Sequence, residues 1–438
     1  MSRTRDSRRN WFGDCRMTAM MLVLVAAAVG QMPADAMGAE KPAKPAIWFL
    51  DGPIPKFKAK NEMIGAYGDR YGAFHAALMA RNRAGEDLPC SSQILEEVGW
   101  RIKYTTDRAA VERRLADLEQ SLTKSEDEQR FALEQTEADG SWGACYEPWV
   151  FRAWASVDPL KELAYAGETP RYPLRFLDAV DTPEKIQTLL RDLIVSRVAE
   201  DGRNRRKELN LAVTALGQLL LLPKLAPFVD PEVDRQALAE AMIRVMDDEW
   251  QDPKTGYWGA WYEADGQIVK TKDLSITFHI VSYREGDVPR RTELVDTLFQ
   301  TREVRYPYGW QDRGTQNTHH SYDVARLLFL VWPDLDEYRK ARARAEIAIM
   351  LARTLRIALQ PNGEFDSTPF NSVPEAYYFG VSMLDTVGYF DPAKQFWARG
   401  LEFERADERK ESIIRQIHRL DSDAPMAKAA LRKLGAMP

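Results

Sequence analysis

The densest chemistry in the chain lies in Gln316-Asn317-Thr318-His319-His320-Ser321-Tyr322-Asp323, which carries two of only five histidines in 438 residues. His319 and Asp323 are four residues apart and His319 and Tyr322 three apart, so on a helix either pair shares a face. An imidazole oriented by a carboxylate takes up protons near neutral pH. A tyrosine delivers or accepts a proton, and the Asn317 amide hydrogen-bonds an acidic group. Beta-elimination from a uronic-acid chain needs these tasks: a carboxylate is quietened, a carbon-bound proton is removed, and a leaving oxygen is protonated. A structural reading competes, because a His-His pair at a helix start also serves capping and packing.

Other residues carry the same two readings. Asp273 is a catalytic candidate or the N-cap of the helix that follows it. His279, inside the apolar run Leu274-Ser-Ile-Thr-Phe-His-Ile-Val281, reads as a core histidine. Arg205 and Glu208 read as ligand contacts or as a local ion pair. A glycosidase needs two carboxylates flanking one bond, and Asp273, Glu364, Asp366 and Glu375 offer candidates that spacing alone does not choose between. His319, His320, Asp312 and Asp323 lack a recognisable metal-ligand spacing, so neither metal nor cofactor is expected.

Elements must gather these groups. The loop Tyr306-Pro307-Tyr308-Gly309-Trp310 runs into the His-His segment and an apolar stretch, residues 324–331, follows it. That order predicts loop, helix start and buried helix, with Thr318 as the N-cap and the polar cluster in the first turn. Free backbone N–H groups there favour anions. Helical periodicity also covers residues 107–122, 183–198, 231–246, 291–301 and 338–359, while alternating strand patterns are scarce.

A Gly-aromatic signal returns at Gly72, Gly140, Gly202, Gly256, Gly309 and Gly363, with spacings of 68, 62, 54, 53 and 54 residues. Such a period holds two helices and two loops. Each glycine would end one helix, and a second would follow over residues 144–157, 204–222, 271–283, 318–332 and 374–388. The expected fold is all-α, an (α/α)6 toroid of six helical hairpins over residues 61–390. Its second helices lie inside because they are richer in apolar and aromatic residues. Residues 391–438 add C-terminal helices packed on the toroid. On this fold the inner-helix starts line one mouth. The expected binding set there is Trp142, Glu147, Arg205, Glu208, Trp258, Trp261, Trp310, Glu364, Asp366, Glu375 and Tyr377. Aromatic faces beside carboxylates and cations suit a sugar chain.

Gln135-x4-Gly140-x-Trp142, Gln251-x4-Gly256-x-Trp258 and Gln360-x2-Gly363-x-Phe365 resemble the Gln–Trp repeats of squalene and terpenoid cyclases and prenyltransferase-type toroids. The resemblance implies the fold, over about residues 60–390, and not the activity. The Asp-x-Asp-Asp acid of class II cyclases is absent from the sequence, and no cysteine neighbours a histidine as a prenyltransferase zinc site would suggest. The Asn317–His320 segment resembles the Asn-His segment of toroidal alginate-lyase-type enzymes. That resemblance implies Asn317 as carboxylate neutraliser and His319 or His320 as the catalytic histidine. Thr318 departs from the pattern by separating Asn317 from His319. Those lyases also bring their tyrosine from another helix, so Tyr322 and Tyr377 compete for the role.

Composition bounds the setting. Residues 1–36 read as an export signal: Arg3, Arg5, Arg8, Arg9 and Arg16 precede a short apolar run, residues 17–29, and Ala34-Asp35-Ala36 offers a cleavage site. Ser7-Arg8-Arg9 leaves the twin-arginine route open beside general export. Residues 37–60 form an extended, proline-rich lead-in. The signal carries five Arg and three Asp, so its removal takes the net charge from −6 to −8. A mildly acidic protein argues against nucleic acid as the main partner. The apolar run is too short for a stable membrane span. Cys90 and Cys145 remain, either as one disulfide of an oxidising compartment or as two buried thiols. The reading is an exported, periplasmic or extracellular toroid acting on a carbohydrate chain, of polysaccharide lyase or glycoside hydrolase type. The alternatives are a non-catalytic carbohydrate- or envelope-interaction scaffold and an isoprenoid-binding toroid. Oligomeric state stays open.

Overall fold

The computed structural model describes residues 48–49, 54–84, 86, 88–131, 134–230, 232–311, 317–370, 372–420 and 424–437. The signal, residues 1–36, together with Asp312, Gln316 and Asn371, lies outside the described residues. The described chain is mostly helical. Strand β1 (Trp48–Phe49) is followed by α1 (Asn61–Ala84), α2 (Pro89–Tyr104), α3 (Arg108–Thr123) and the short α4 (Glu126–Phe131). Helices α1, α2 and α3 pack on one another around their own apolar cluster, which includes Met63, Leu78, Val98 and Leu115. Gly72, expected to end a helix, sits inside α1. The residues after it, Ala73 to Arg83, are mostly good helix formers, so nothing stops the helix there.

Next come α5 (Trp149–Ala166), α6 (Pro183–Ile194), β2 (Val195–Ser196), α7 (Val198–Asp201), α8 (Arg206–Leu221) and α9 (Arg235–Arg244). The hairpin of β3 (Trp261–Ala264) and β4 (Gln267–Lys270) precedes α10 (Leu274–Tyr283) and α11 (Arg291–Gln300). The chain continues with α12 (Thr318–Val331), α13 (Glu337–Arg353), α14 (Val373–Thr386), α15 (Ala406–Ile417) and α16 (Pro425–Lys433). The strands form one small sheet in the order β1-β4-β3-β2, with β3 and β4 antiparallel. Its Asp265-Gly266 turn has positive φ at both residues, 51° and 72°, which suits the twist of a two-residue hairpin.

The packing order of the apolar helices is regular. Helix α5 packs on α8, α8 on α10, α10 on α12, α12 on α14, and α14 on α16. Arg432 of α16 then forks onto Glu162 of α5 at 3.0 and 2.8 Å, and its guanidinium lies 3.8 Å from the Tyr165 ring. The C-terminal helix α16 therefore joins this row. Amphipathic helices such as α6 and α9 stand between the row and solvent.

The turns between these layers share one construction. Gly140, Gly202, Gly256 and Gly363 have φ of 72°, 66°, 66° and 90°, the left-handed region that glycine enters without steric cost. At Gly256 a Cβ would lie 2.5 Å from Leu294 N, so the next segment also needs the missing side chain. Gln135 Nε2 donates to the Gly140 and Tyr172 carbonyls, and Gln251 Nε2 to those of Gly256 and Pro289. Each glutamine thus ties its glycine turn to the segment after the next apolar helix, α5 or α10. Cys90 of α2 is bonded to Cys145, tethering the first three helices to the loop before α5.

Candidate active site

Local structure aims the His-His segment. Asn317 adopts the extended conformation a cap requires, and its Oδ1 accepts from His320 N at 3.0 Å. Asn317, not Thr318, is therefore the N-cap, and Thr318 is the buried first residue of α12. The loop before α12 is pinned on both sides. Leu274 N at the start of α10 donates to Pro307 O at 2.7 Å, and Trp310 Nε1 donates to Leu298 O at 3.0 Å. Gly309 fits because any Cβ would stand 2.0 Å from Thr301 O.

This loop delivers Tyr306 to the helix. Its hydroxyl donates to Asp323 Oδ2 at 3.1 Å and lies 3.3 Å from His319 Nε2, while His319 Nε2 and Asp323 Oδ2 are 3.6 Å apart. Rings close the cluster: Tyr306 stacks on His320 at 4.2 Å and His319 on Phe379 of α14 at 3.9 Å. Tyr322 lies deeper, with its ring 5.5 Å from Phe278 and 6.2 Å from Phe379. The hydroxyl next to His319 Nε2 is thus that of Tyr306, whereas sequence spacing paired His319 with Tyr322.

Burial sets the charges. Asp323 is fully buried, its Oδ1 has no hydrogen-bond partner, and desolvation holds its carboxyl well above the usual carboxylate range. Desolvation pushes the His319 imidazole well below its ordinary value, with the neighbouring His320 and His279 adding to the effect. His320 is pushed down to about 4 and His279 to about 3, again by burial. The Tyr306 hydroxyl is driven up by burial and then by Asp323. At neutral pH the three imidazoles and the Tyr306 hydroxyl are uncharged. The His319 side chain keeps 19% exposure although protein surrounds it, so it lines a recess. A single hydroxyl proton serves one acceptor at a time, so Tyr306 can donate to Asp323 or, once Asp323 carries a proton, to His319. The three groups form a one-proton relay.

A second cluster stands beside the first at the start of α10. Arg206 grips Asp273 with Nε and Nη2 at 2.6 and 3.0 Å, and Asp273 Oδ1 also accepts from Ile276 N at 3.0 Å. Asp273 is therefore the N-cap and an ion-pair partner at once, with both oxygens occupied. The Arg206 guanidinium lies 5.9 Å from the Tyr308 ring. Asn210 Nδ2 reaches Ser275 Oγ at 3.2 Å.

Several expected binding residues lie elsewhere. Trp258 and Trp310 are fully buried, their indole N–H groups donating to Met246 O and Leu298 O, so they plug the turns and present no face to a ligand. Trp142 packs beside Leu219 and Phe176 between α5 and α8. Glu147 pairs with Arg114 at 3.0 Å beside the first three helices. Glu208 is gripped by Arg203 at 2.8 and 2.9 Å, and Arg205 pairs with Asp201. Trp261, on β3, lies under Lys270 at 4.3 Å. Glu364 and Asp366 are exposed in the turn before α14, Glu375 sits in that helix's first turn, and buried Tyr377 packs edge-on to Phe365. On α14 the residues that reach the His319 cluster are Tyr378 and Phe379. Tyr306 and Phe379 are the additions that sequence spacing did not single out as site residues.

A cavity of about 890 Å³ lies away from this chemistry, at the far ends of α5 and α8 between Leu174, Leu177, Leu219 and Phe228. Its lining holds no histidine. Comparison of the chain with protein-family models, curated proteins and solved structures found no match.

Proposed function

We propose that this chain is an exported lyase of uronic-acid carbohydrate, with its reaction centre at Tyr306, His319 and Asp323. The supporting observation is the 3.3 Å contact between Tyr306 Oη and His319 Nε2. In a syn elimination the departing hydrogen and oxygen leave neighbouring carbons from one face, so acid and base stand close to one another. Glycoside hydrolysis instead needs two carboxylates about 5 Å or more apart. Near this cluster Asp273 is consumed by Arg206 and Asp323 is buried, which disfavours the hydrolase reading.

In the proposed step His319 takes the proton from the carbon beside the sugar carboxylate. The C–H electron pair becomes the new C=C bond, the C–O bond breaks, and the oxygen leaves with the Tyr306 hydroxyl proton. His319 then returns a proton to the phenolate, and Asp323 orients the hydroxyl. Asn317 spends its Oδ1 on the cap, so its amide N–H groups face the carboxylate to be neutralised.

The proposed frame is a closed (α/α)6 toroid with α5, α8, α10, α12, α14 and α16 inside. Support comes from their unbroken packing order and from the Arg432–Glu162 fork that links last to first. The proposed repeat starts later and ends later than periodicity suggests, taking in α16 and leaving α1 to α3 outside. The Cys90–Cys145 bond favours an oxidising compartment and so export. Among the described residues no helix is long and apolar enough to cross a membrane. The test is a screen of the purified protein on uronic-acid and neutral polysaccharides. It should show new ultraviolet absorbance from unsaturated ends on the acidic polymers. New reducing ends without absorbance would replace the lyase by a hydrolase.

A further inference from the structure

We infer that Lys433 is the specificity residue at the inner end of this recess, and that it recognises a carboxylate of the bound carbohydrate. The inference rests on the proposed reading of the site as one for an acidic sugar chain. Lys433 closes α16, yet its Nζ stands 5.9 Å from the ring of Tyr322 on α12, although α14 lies between those helices in the packing order. Its side chain therefore reaches across the interior and not along a helix seam. From Tyr322 the path to the reaction centre is short: its ring is 6.2 Å from Phe379, which stacks on His319 at 3.9 Å.

The charged groups around this interior identify what Lys433 lacks. Asp158 is held by Lys161 at 2.9 Å, Glu162 by Arg432 at 2.8 Å, Asp385 by Lys394 at 2.6 Å, and Glu285 by Arg326 at 2.8 Å. Those pairs match four anions to four cations, and Lys433 is the fifth cation, with no ion pair or hydrogen bond among the described residues. Burial pushes its ammonium below the ordinary lysine value, opposed by Asp385 and reinforced by Arg326 and Lys394. A half-buried cation with no ion pair is a poor structural element, because the Tyr322 ring and an Asp385 already held by Lys394 return little of the desolvation cost. One surplus positive charge matches a single carboxylate better than a doubly charged phosphate. A uronate carries that group on each ring.

Titration calorimetry of the full mature protein tests this, using a uronate tetrasaccharide and its carboxyl-reduced counterpart as probes. Wild type should bind the acidic probe more tightly. Lys433→Met should lower the acid-over-neutral ratio about tenfold, the worth of one charged hydrogen bond, and Lys433→Arg should restore most of it. An unchanged melting temperature in Lys433→Met guards against a folding artefact in that variant. A wild-type preference that survives in Lys433→Met overturns the role of Lys433 and leaves the carbohydrate reading standing. Failure of wild type to bind either probe overturns both.

Discussion

Tyr306 is the residue on which the chemistry turns, because its hydroxyl is shared by an imidazole and a buried carboxyl. Tyr306→Phe keeps the ring that stacks on His320 and removes only the proton carrier. It is expected to lower turnover on a uronic-acid polymer about 10³-fold, within the range of positioned acid–base groups, with little change in melting temperature. The buried charges also predict the pH dependence of stability. Three imidazoles, His279, His319 and His320, lie below their ordinary 6.5 when folded, so below about pH 6.5 the unfolded chain binds protons that the folded one refuses. Asp323 does the opposite: folded it keeps a proton that the unfolded chain loses above its ordinary 3.8. Between those values the three histidines outweigh the one carboxyl, and stability falls as pH drops. Urea unfolding should therefore show stability falling as pH drops from about 6.5 to 5. Equal stability at the two ends of that range would contradict the burial of the neutral imidazoles. The His319–Asp323 pairing was legible in the sequence, since four residues on a helix bring two side chains together. Tyr306 was not, because it arrives from a loop whose path depends on Pro307 bonding to α10.

Helix starts and glycine turns carry the next scale. Asn317→Ala removes the cap of α12 and should cost about 1 kcal/mol in chemical denaturation. Its cost to catalysis should be larger, since the same side chain faces the proposed carboxylate. Gly256→Ala forces a side chain into left-handed backbone and against Leu294 N at 2.5 Å, so a loss of about 2 kcal/mol or more is expected. A neutral result at Gly256 would show that the turn relaxes freely. Four of the six glycine signals were read correctly as left-handed turns because an aspartate, asparagine or threonine side chain near the glycine folds back on the backbone. Gly72 misled because glycine alone does not end a helix. The β3–β4 hairpin was missed although Asp265-Gly266 between short alternating runs announced it. The tryptophans misled in another way: Trp258 and Trp310, after Gly256 and Gly309, are plugs whose N–H is spent on a backbone carbonyl.

The whole molecule depends on two long-range ties. The Cys90–Cys145 bond closes a separation of 55 residues, which in the chain-entropy view stabilises by roughly 4 kcal/mol. Reduction should lower the melting temperature and release α1 to α3 first, as read by hydrogen exchange. An unchanged transition would mean that these helices hold without the bond. The Arg432–Glu162 fork links the ends of the proposed ring, and a double-mutant cycle to alanine should give a coupling of about 1 kcal/mol, as for a partly buried bidentate pair. Helical class was readable from periodicity, but the packing order was not, because it depends on which distant helices touch. The most direct measurement of the central claim compares wild type and Tyr306→Phe on a uronic-acid polymer, following unsaturated ends by ultraviolet absorbance. Absorbance that grows with wild type and collapses about 10³-fold in the variant is the predicted result. Equal rates in the two proteins would contradict it.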